Sequence, residues 1–112
     1  MGNLSLGEFE EVVLLTVAVL YKDAYGIAIK RDIETRLKRG VSVGAMRTAL
    51  SRLEKKGFVT SEFGEATKVR GGKRKRYFRV TPFGKKALDD VMESRQKLWS
   101  AIPSMAFEYN IS

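Results

Sequence analysis

The sequence predicts a mainly α-helical domain with one small β-hairpin and a long C-terminal helix. Three observations predict this class. Apolar residues recur at helical spacing in four segments of the 112-residue chain. After Gly57 the pattern changes to the alternation typical of strands, in "FVTSEF" and "RYFRV". Between these two stretches, "KVRGGKRKRY" at residues 68–77 places six basic residues around a glycine pair.

The first predicted helix spans Leu6 to Tyr21 and is apolar on nearly every face. Its opening residues, "GEFEEV", place three acids in the first turn, where the helix dipole favours negative charge. A helix that is apolar nearly all round is usually buried on more than one side. Because a chain of this length buries only a modest core, we expect a second copy to cover this helix at Val13, Val17 and Leu20.

The second predicted helix is amphipathic and lies at residues 27–40, "IAIKRDIETRLKRG". Gly40 is its expected stop, since glycine readily adopts the left-handed cap conformation. Its inner face is expected at Ile29, Ile33 and Leu37.

The third predicted helix, "VGAMRTALSRLEKKG", has a slim and basic outer face. Ser42 precedes it as the expected N-cap, and Gly57 lies where a left-handed cap is needed. The spacing of Met46, Leu50 and Leu53 assigns those residues to the core. The residues expected on or beside the outer face are Ser42, Gly44, Arg47, Thr48, Ser51, Arg52 and Lys55.

A β-hairpin and a last helix complete the predicted order. The two alternating stretches form the hairpin, with the glycine pair at its tip. The last helix begins at about Pro82, a good first-turn residue, with Thr81 as its cap. We predict a compact domain at residues 1–81 and a C-terminal helix with its tail at residues 82–112.

Positive charge is concentrated in one part of the chain, whose formal net charge is +8. Nine basic residues and no acid lie between Ala66 and Leu88, and the rest of the sequence is nearly neutral. A local cluster of this kind indicates a binding surface for a polyanion, whereas diffuse charge only favours solubility.

The composition also excludes several classes of protein. The chain has no cysteine and no histidine, which excludes disulfides, thiolate chemistry, the usual zinc sites and histidine-based catalysis. No paired carboxylates lie in a glycine-rich or strand-end context, so we expect no enzymatic activity, no cofactor and no metal. The longest apolar run, "VVLLTVAVL", is too short to span a bilayer, and the acidic N-terminus is unlike an export signal. We expect a cytoplasmic protein.

Three helices followed by a hairpin with a basic loop is the order of a winged helix-turn-helix. In that fold the third helix enters the major groove of duplex DNA, and short side chains on its outer face allow a close approach. The seven outer-face residues of the third helix are therefore candidate recognition residues. The basic loop corresponds to the wing, whose cations neutralise phosphates. The candidate wing residues are Lys68, Arg70, Lys73, Arg74, Lys75 and Arg76.

These segments resemble the PadR family of bacterial transcriptional regulators over roughly residues 6–100. The family pattern through the recognition helix, which ends in "LxRLExxG", is matched at Gly44, Leu50, Arg52, Leu53, Glu54 and Gly57. Arg47 and Ala45 replace the family's aromatic and hydroxyl residues, so contacts made by those groups do not carry over. The wing pattern "RRxYxLTxxG" is matched at Lys75, Arg76, Tyr77, Phe78, Thr81 and Gly84. Tyr25 and Gly26 match the pair that opens the second helix, and Tyr25 is the candidate contact to the DNA backbone.

The resemblance implies a homodimeric repressor of the short family branch, which has a single C-terminal helix. That helix packs against the partner's first helix, and a two-fold dimer reads a pseudo-palindromic operator with half-sites about 10 bp apart. The C-terminal helix is expected to contribute Leu88, Val91, Leu98 and Trp99 to the interface. Some relatives release DNA when a planar aromatic effector lodges beside a tryptophan of this helix. Trp99 is the candidate for that role, with a dimer-core residue as the alternative.

Two other classes of function stay open. A sequence-independent nucleic-acid-binding protein would use the same charge, with a steep salt dependence and little discrimination between duplexes. A winged-helix adaptor would bind an acidic protein partner through the charged loop and would bind no duplex at moderate salt. For the loop itself, a solvated run of charge without a partner is the simplest alternative.

Overall fold

The structure is a computed structural model that describes residues 6–64 and 74–108. In these segments the helices and strands are α1 (Glu8–Leu20), α2 (Gly26–Leu37), α3 (Val43–Lys55), β1 (Val59–Phe63), β2 (Arg76–Val80) and α4 (Pro82–Ala101). Short 3-10 turns follow α1, at Tyr21–Asp23, and α4, at Ser104–Phe107. This order confirms the predicted mainly helical class with a two-stranded hairpin. Within the described segments, no helix has both the length and the apolar character needed to cross a membrane.

The caps of α3 and α4 form at the predicted residues. The Ser42 hydroxyl accepts a hydrogen bond from the Ala45 N–H at 3.0 Å, and Gly57 has a left-handed φ of +81° after α3. The Thr81 hydroxyl accepts from the Gly84 N–H at 3.0 Å. The two hydroxyl caps satisfy backbone N–H donors at the starts of α3 and α4, whereas the N–H groups of Gly57 and Phe58 donate to carbonyls at the end of α3.

The end of α2 was predicted wrongly. The helix stops at Leu37, and the left-handed residue that follows is Lys38, with φ +52°, while Gly40 lies in the link to α3. Leu37 is 51% exposed and is therefore not part of the inner face, unlike Ile29 and Ile33. Leu37 is the last residue of α2 and lies beyond the part of the helix that packs on the core.

The first three helices and the hairpin enclose one hydrophobic core. The most deeply buried large side chains are Val13, Leu14, Val17, Ile29, Ile33, Leu53 and Phe58. The strands pair antiparallel, with Val59 opposite Val80. The Phe78 N–H donates to the Ala24 carbonyl at 2.8 Å, which joins β2 to the residues before α2. The strand pair at the base of the hairpin, which we call its root, is thus fixed to the helical part of the domain.

Only the first turns of α4 pack on this core. Gly84 and Leu88 are buried, Val91 is half-buried, and every residue from Met92 to the end of the described chain is exposed. The predicted boundary at residue 81 falls between β2 and α4. The division into two units at residues 1–81 and 82–112 stays a prediction.

Candidate nucleic-acid interface

The outer face of α3 is exposed to solvent. The buried residues of this helix are Met46, Ala49, Leu50 and Leu53. The seven candidate recognition residues are all exposed: Ser42, Gly44, Arg47, Thr48, Ser51, Arg52 and Lys55. The predicted division of α3 into a buried and an exposed face, which came from the helical spacing of its apolar residues, is therefore confirmed. Which of the exposed residues touch DNA stays a prediction.

The centre of this outer face carries little side-chain volume. A Cβ atom built on Gly44 would meet no other atom within 4 Å, and Thr48 and Ser51 follow it along the same face. The major groove of B-DNA is about 12 Å wide and just admits a helix. The short side chains leave the backbone of α3 accessible along this face.

The basic residues of α3 frame the outer face on two flanks. Arg47 lines a groove that α3 shares with α2 and β2. Arg52 lies on the opposite flank, where its charge acts on Glu10 of α1. Lys55 lies near the middle of the outer face, one turn after Ser51. A ligand on this face therefore meets positive charge from both sides.

The groove between α3 and the hairpin has a volume of about 660 Å³. Its walls include the apolar side chains of Ile27, Val43 and Phe78. Its basic lining residues are Lys30, Arg47, Arg74, Lys75 and Arg76. In residues 6–64 and 74–108, no three acidic side chains gather as a metal site would require. The groove therefore brings five cations and the Glu54 carboxylate together between apolar walls.

Tyr25 links the start of α2 to the root of the hairpin. It occupies the N-cap position of α2 and is half-buried. Its ring packs edge-on against Tyr77, with ring centroids 5.5 Å apart, and the two residues form an isolated β-bridge. The Lys75 ammonium lies 4.2 Å from the Tyr25 ring centroid. Tyr25 therefore has a packing role, and its contact with the DNA backbone stays a prediction.

The candidate wing residues fall into two groups. Three of them lie outside the described residues: Lys68, Arg70 and Lys73. The other three are exposed near the start of β2 but differ in their partners. Arg74 has no ion pair with any described residue, Lys75 lies over Tyr25, and Arg76 is paired with an acid of α3. Of these three, Arg74 and Lys75 keep a cationic head without an acidic partner in the described segments.

Arg76 belongs to a cluster that joins α3 to both strands. Its Nη2 donates to Glu54 Oε1 at 2.7 Å, and its Nε donates to the Ser61 hydroxyl at 2.9 Å. The Ser61 hydroxyl in turn donates to Glu54 Oε2 at 2.7 Å. The guanidinium carbon also lies 5.8 Å and 5.5 Å from the ring centroids of Phe63 and Phe78. The predicted wing contact at Arg76 thus has its guanidinium engaged within the chain.

The acids near α3 are neutralised by cations of the same chain. Burial of the Glu10 carboxylate acts to raise its pKa, but hydrogen bonds from Lys56 Nζ at 2.6 Å and the Gly7 N–H at 3.1 Å oppose it. With the charges of Lys56 and Arg52 added, the pKa of Glu10 lies below its ordinary value of 4.5. Hydrogen bonds from Lys30 and from the Val41 N–H likewise lower the pKa of Glu34. Both carboxylates are therefore ionised and paired at neutral pH.

Three of the predicted dimer contacts are core residues of the single chain. Val13, Val17 and Leu88 are 0%, 1% and 8% exposed without any partner present. Their side chains have almost no free surface to offer a second copy, because they fill the core beneath α1 and α4. The apolar residues of α1 thus pack largely within one chain. The role of these three residues in a dimer interface stays a prediction.

Two of the other predicted dimer contacts lie on the exposed end of α4. Leu98 is 71% exposed and Trp99 is 67% exposed, while Leu20 and Val91 are half-buried. The Trp99 ring lies 6.3 Å from that of Phe107 in the turn after α4. Further large apolar side chains exposed on this segment are Met92, Ile102, Met105 and Phe107. Exposed apolar side chains are thus concentrated in the second half of α4 and the turn that follows it.

A family model for PadR-like transcriptional regulators matches residues 14–90. The match covers most of α1, all of α2, α3 and the hairpin, and the first half of α4, which is more than half of the chain. The chain belongs to the PadR-like family. It is therefore a PadR-like transcriptional regulator with a winged-helix fold.

Several proteins are similar to this PadR-like regulator. An uncharacterised protein of Lysinibacillus sphaericus is 30% identical over 89 residues, which cover 78% of this chain and 77% of the relative. A PadR family transcription regulator from Clostridium difficile R20291 is 27% identical, with a TM-score of 0.65 over 80% of this chain and 91% of that one. A transcriptional regulator from Clostridium thermocellum is 24% identical, with a TM-score of 0.66 over 82% and 84% of the two chains. The two solved structures share the fold.

In this PadR-like regulator, the residues that match the family's patterns serve both the fold and the surface. Leu50 and Leu53 are core residues, while Thr81 caps α4. Glu54 and Arg76 form an ion pair across 22 residues of sequence. Glu54 belongs to the matched recognition-helix pattern and Arg76 to the matched wing pattern. The sequence did not reveal that they form a contact, because no local spacing relates a residue of α3 to one of β2.

Proposed function

We propose that this PadR-like regulator binds operator DNA as a homodimer and represses transcription by occupying promoter DNA. The observation that carries the proposal is the exposed outer face of α3, slim at Gly44 and flanked by Arg47 and Arg52. A helix of this shape suits the major groove, and the exposed cations of Arg74 and Lys75 beside it suit phosphates. Since transcription factors act on the chromosome, the proposed location is the cytoplasm, and no catalytic step is part of the proposal.

The proposed contacts are of two kinds, those to base edges and those to phosphates. Arg47 stands in the first turns of α3, where a guanidinium donates two hydrogen bonds to one guanine edge. Ser42, Gly44, Thr48 and Ser51 allow or complete the close approach. Phosphate contacts fix the register of the protein without reading sequence. We assign them to Tyr25, Arg52, Lys55, Lys68, Arg70, Lys73, Arg74 and Lys75.

The proposed dimer surface lies on the exposed part of α4. Leu98 and Trp99 are its most exposed members, and we assign the half-buried Val91 of α4 and Leu20 of α1 to the same interface. A two-fold axis through this surface presents two copies of α3 to half-sites about 10 bp apart, so the operator is pseudo-palindromic. A small planar aromatic effector is proposed to bind at Trp99. Such a ligand releases DNA by favouring a dimer in which the spacing of the two α3 helices is wrong.

Fluorescence anisotropy with two duplexes tests the proposal. One duplex carries the region upstream of the protein's own gene, and the other is its scrambled version of equal length. Both are titrated at about 0.15 M salt, where non-specific contacts are already weakened. We expect the native duplex to bind at least tenfold more tightly. Replacing Arg47 by Ala is expected to remove about 1–3 kcal/mol from native-duplex binding, the worth of one good base contact.

The other outcomes identify the alternatives. Equal affinity for both duplexes, with a steep salt dependence, indicates a sequence-independent nucleic-acid-binding protein. No binding to either duplex indicates an adaptor that uses the same surface on an acidic protein. An Arg47→Ala variant that weakens both duplexes by the same factor contradicts the assignment of base reading to that residue.

A further inference from the structure

Glu54 is the only acid in the sequence of α3, and it lies between two groups of cations. Its flank of the helix faces the groove that Arg47, Arg74 and Lys75 line. On a surface meant for a polyanion, an acid costs affinity unless it has another task, because it repels phosphates. The structure shows what Glu54 contacts instead.

Glu54, Ser61 and Arg76 form a closed ring of hydrogen bonds, one residue each from α3, β1 and β2. Both carboxylate oxygens of Glu54 are used, one by the Arg76 guanidinium at 2.7 Å and one by the Ser61 hydroxyl at 2.7 Å. The ring closes with Arg76 Nε on the Ser61 oxygen at 2.9 Å. Within the described residues, Glu54–Arg76 is the only ion pair that joins α3 to β2.

The ring holds Arg76 in one orientation. An isolated exposed ion pair contributes little to stability, because two long side chains must be ordered and water screens the charges. Here the planar guanidinium is held at two of its nitrogens and lies near the rings of Phe63 and Phe78. The ring has one member on each of three elements and therefore fixes the position of the start of β2 relative to α3. Arg76 also starts β2, two residues after Arg74.

We propose that Glu54 is a specificity-determining positioning residue, which clamps the root of the wing to the recognition helix and withholds Arg76 from phosphates. The inference rests on the proposed DNA-binding function. With the clamp closed, Arg74 and Lys75 reach phosphates only when α3 is seated in the major groove in one register. With the clamp open, Arg76 becomes a mobile cation and the wing follows the backbone of any duplex. Glu54 thus lowers affinity for the wrong sequences more than for the right one.

Glu54→Gln tests the proposal, with Glu62→Gln as the matched control. Glu62 lies in the same hairpin and is exposed, and it stands opposite Tyr77 on the other face of β1 from Ser61. The two substitutions change the net charge equally, but only the first opens the ring. Affinity for the native and scrambled duplexes is measured for both variants over a range of salt concentrations.

We expect Glu54→Gln to reduce the ratio of the two affinities by roughly fivefold or more, the cost of one good discriminating contact. Its scrambled-duplex binding is expected to gain about 0.9 in salt slope, since one more cation meets phosphate. Ser61→Ala, which removes only the bridging hydroxyl, is expected to change the ratio in the same direction by a smaller factor. Glu62→Gln is expected to leave the ratio unchanged. An unchanged ratio in Glu54→Gln, or an equal fall in both variants, overturns the proposal.

The clamp is tested separately from DNA binding. If the unmodified protein binds both duplexes equally, the proposed function fails, and amide hydrogen exchange of the free protein then decides the clamp. Glu54→Gln is expected to speed exchange in residues 76–80 relative to Glu62→Gln, since the strand root loses its hold on α3. Equal exchange in the two variants refutes the clamp whatever the protein binds.

Discussion

Substitution of Gly84 by Ala tests how α4 is attached to the winged-helix domain. A Cβ atom at this position would lie 2.9 Å from the carbonyl carbon of Phe58 and 3.1 Å from its Cα, and closer still to its oxygen. All three are backbone atoms that no rotamer change can move. The same backbone is held to α4 by the Thr81 N–H, which donates to the Phe58 carbonyl at 3.0 Å. The helix must shift away from the core to admit one methyl group.

The expected cost follows from these contacts. Overpacking a well-packed site costs typically 1–3 kcal/mol, and a clash with fixed backbone belongs at the upper end. The better helix propensity of Ala returns about 0.5–1 kcal/mol. The net loss of unfolding free energy is therefore about 2 kcal/mol. For a domain of this size that corresponds to a fall in Tm of roughly 8–15 °C.

Thermal unfolding followed by circular dichroism measures this loss, at one fixed protein concentration because a dimer's Tm depends on it. Gly44→Ala is the control, since it makes the same substitution in the first turns of another helix with no atom within 4 Å of the new Cβ. We expect the control to raise Tm by a few degrees through helix propensity alone. A Gly84→Ala protein as stable as the control would refute the close packing of α4 on Phe58.

Two further predictions concern the ion pair between Glu10 of α1 and Lys56, and the exposed end of α4. Because the pKa of folded Glu10 is lowered, its carboxylate adds stability that is present above pH 4.5 and is lost as the pH falls through the folded pKa. Glu10→Gln is therefore expected to be less stable than the unmodified protein in urea at pH 7, with the difference shrinking by pH 3, and a pH-independent difference contradicts the assignment. Leu98→Asp is expected to halve the particle mass in light scattering, because a charge enters the proposed dimer surface, whereas Gln96→Asp on the same helix is expected to leave the mass unchanged. An unaltered mass in Leu98→Asp would place the dimer contact elsewhere.

Local patterns were enough to predict the elements and the faces of this fold. The caps at Ser42 and Thr81 depend on side-chain oxygens and neighbouring N–H groups, so their position follows from a few residues of sequence. The exposed face of α3 follows from helical periodicity in the same way. The stop of α2 did not follow, because Lys38 adopts the left-handed conformation that the nearby Gly40 accommodates more easily.

Contacts between distant segments could not be predicted from the sequence. The apolar residues Val13 and Val17 have the same pattern whether a core or a second copy buries them, and only the packed structure places them in the core. The ring of Glu54, Ser61 and Arg76 joins three elements whose relative placement is set by the whole core. Sequence spacing alone assigned Arg76 to phosphate, since a run of basic residues does not show which of them has an acidic partner.

Selection from a library of randomised duplexes most directly tests the claim that α3 reads a two-fold operator, since it assumes no operator position. The protein is equilibrated with the library at about 0.15 M salt, and the bound duplexes are sequenced over successive rounds. The account predicts recovered sequences that contain two inverted half-sites about 10 bp apart. In the Arg47→Ala protein, the preference for one base over the others is expected to weaken at one position of each half-site. Recovery of duplexes without any shared sequence would contradict the account.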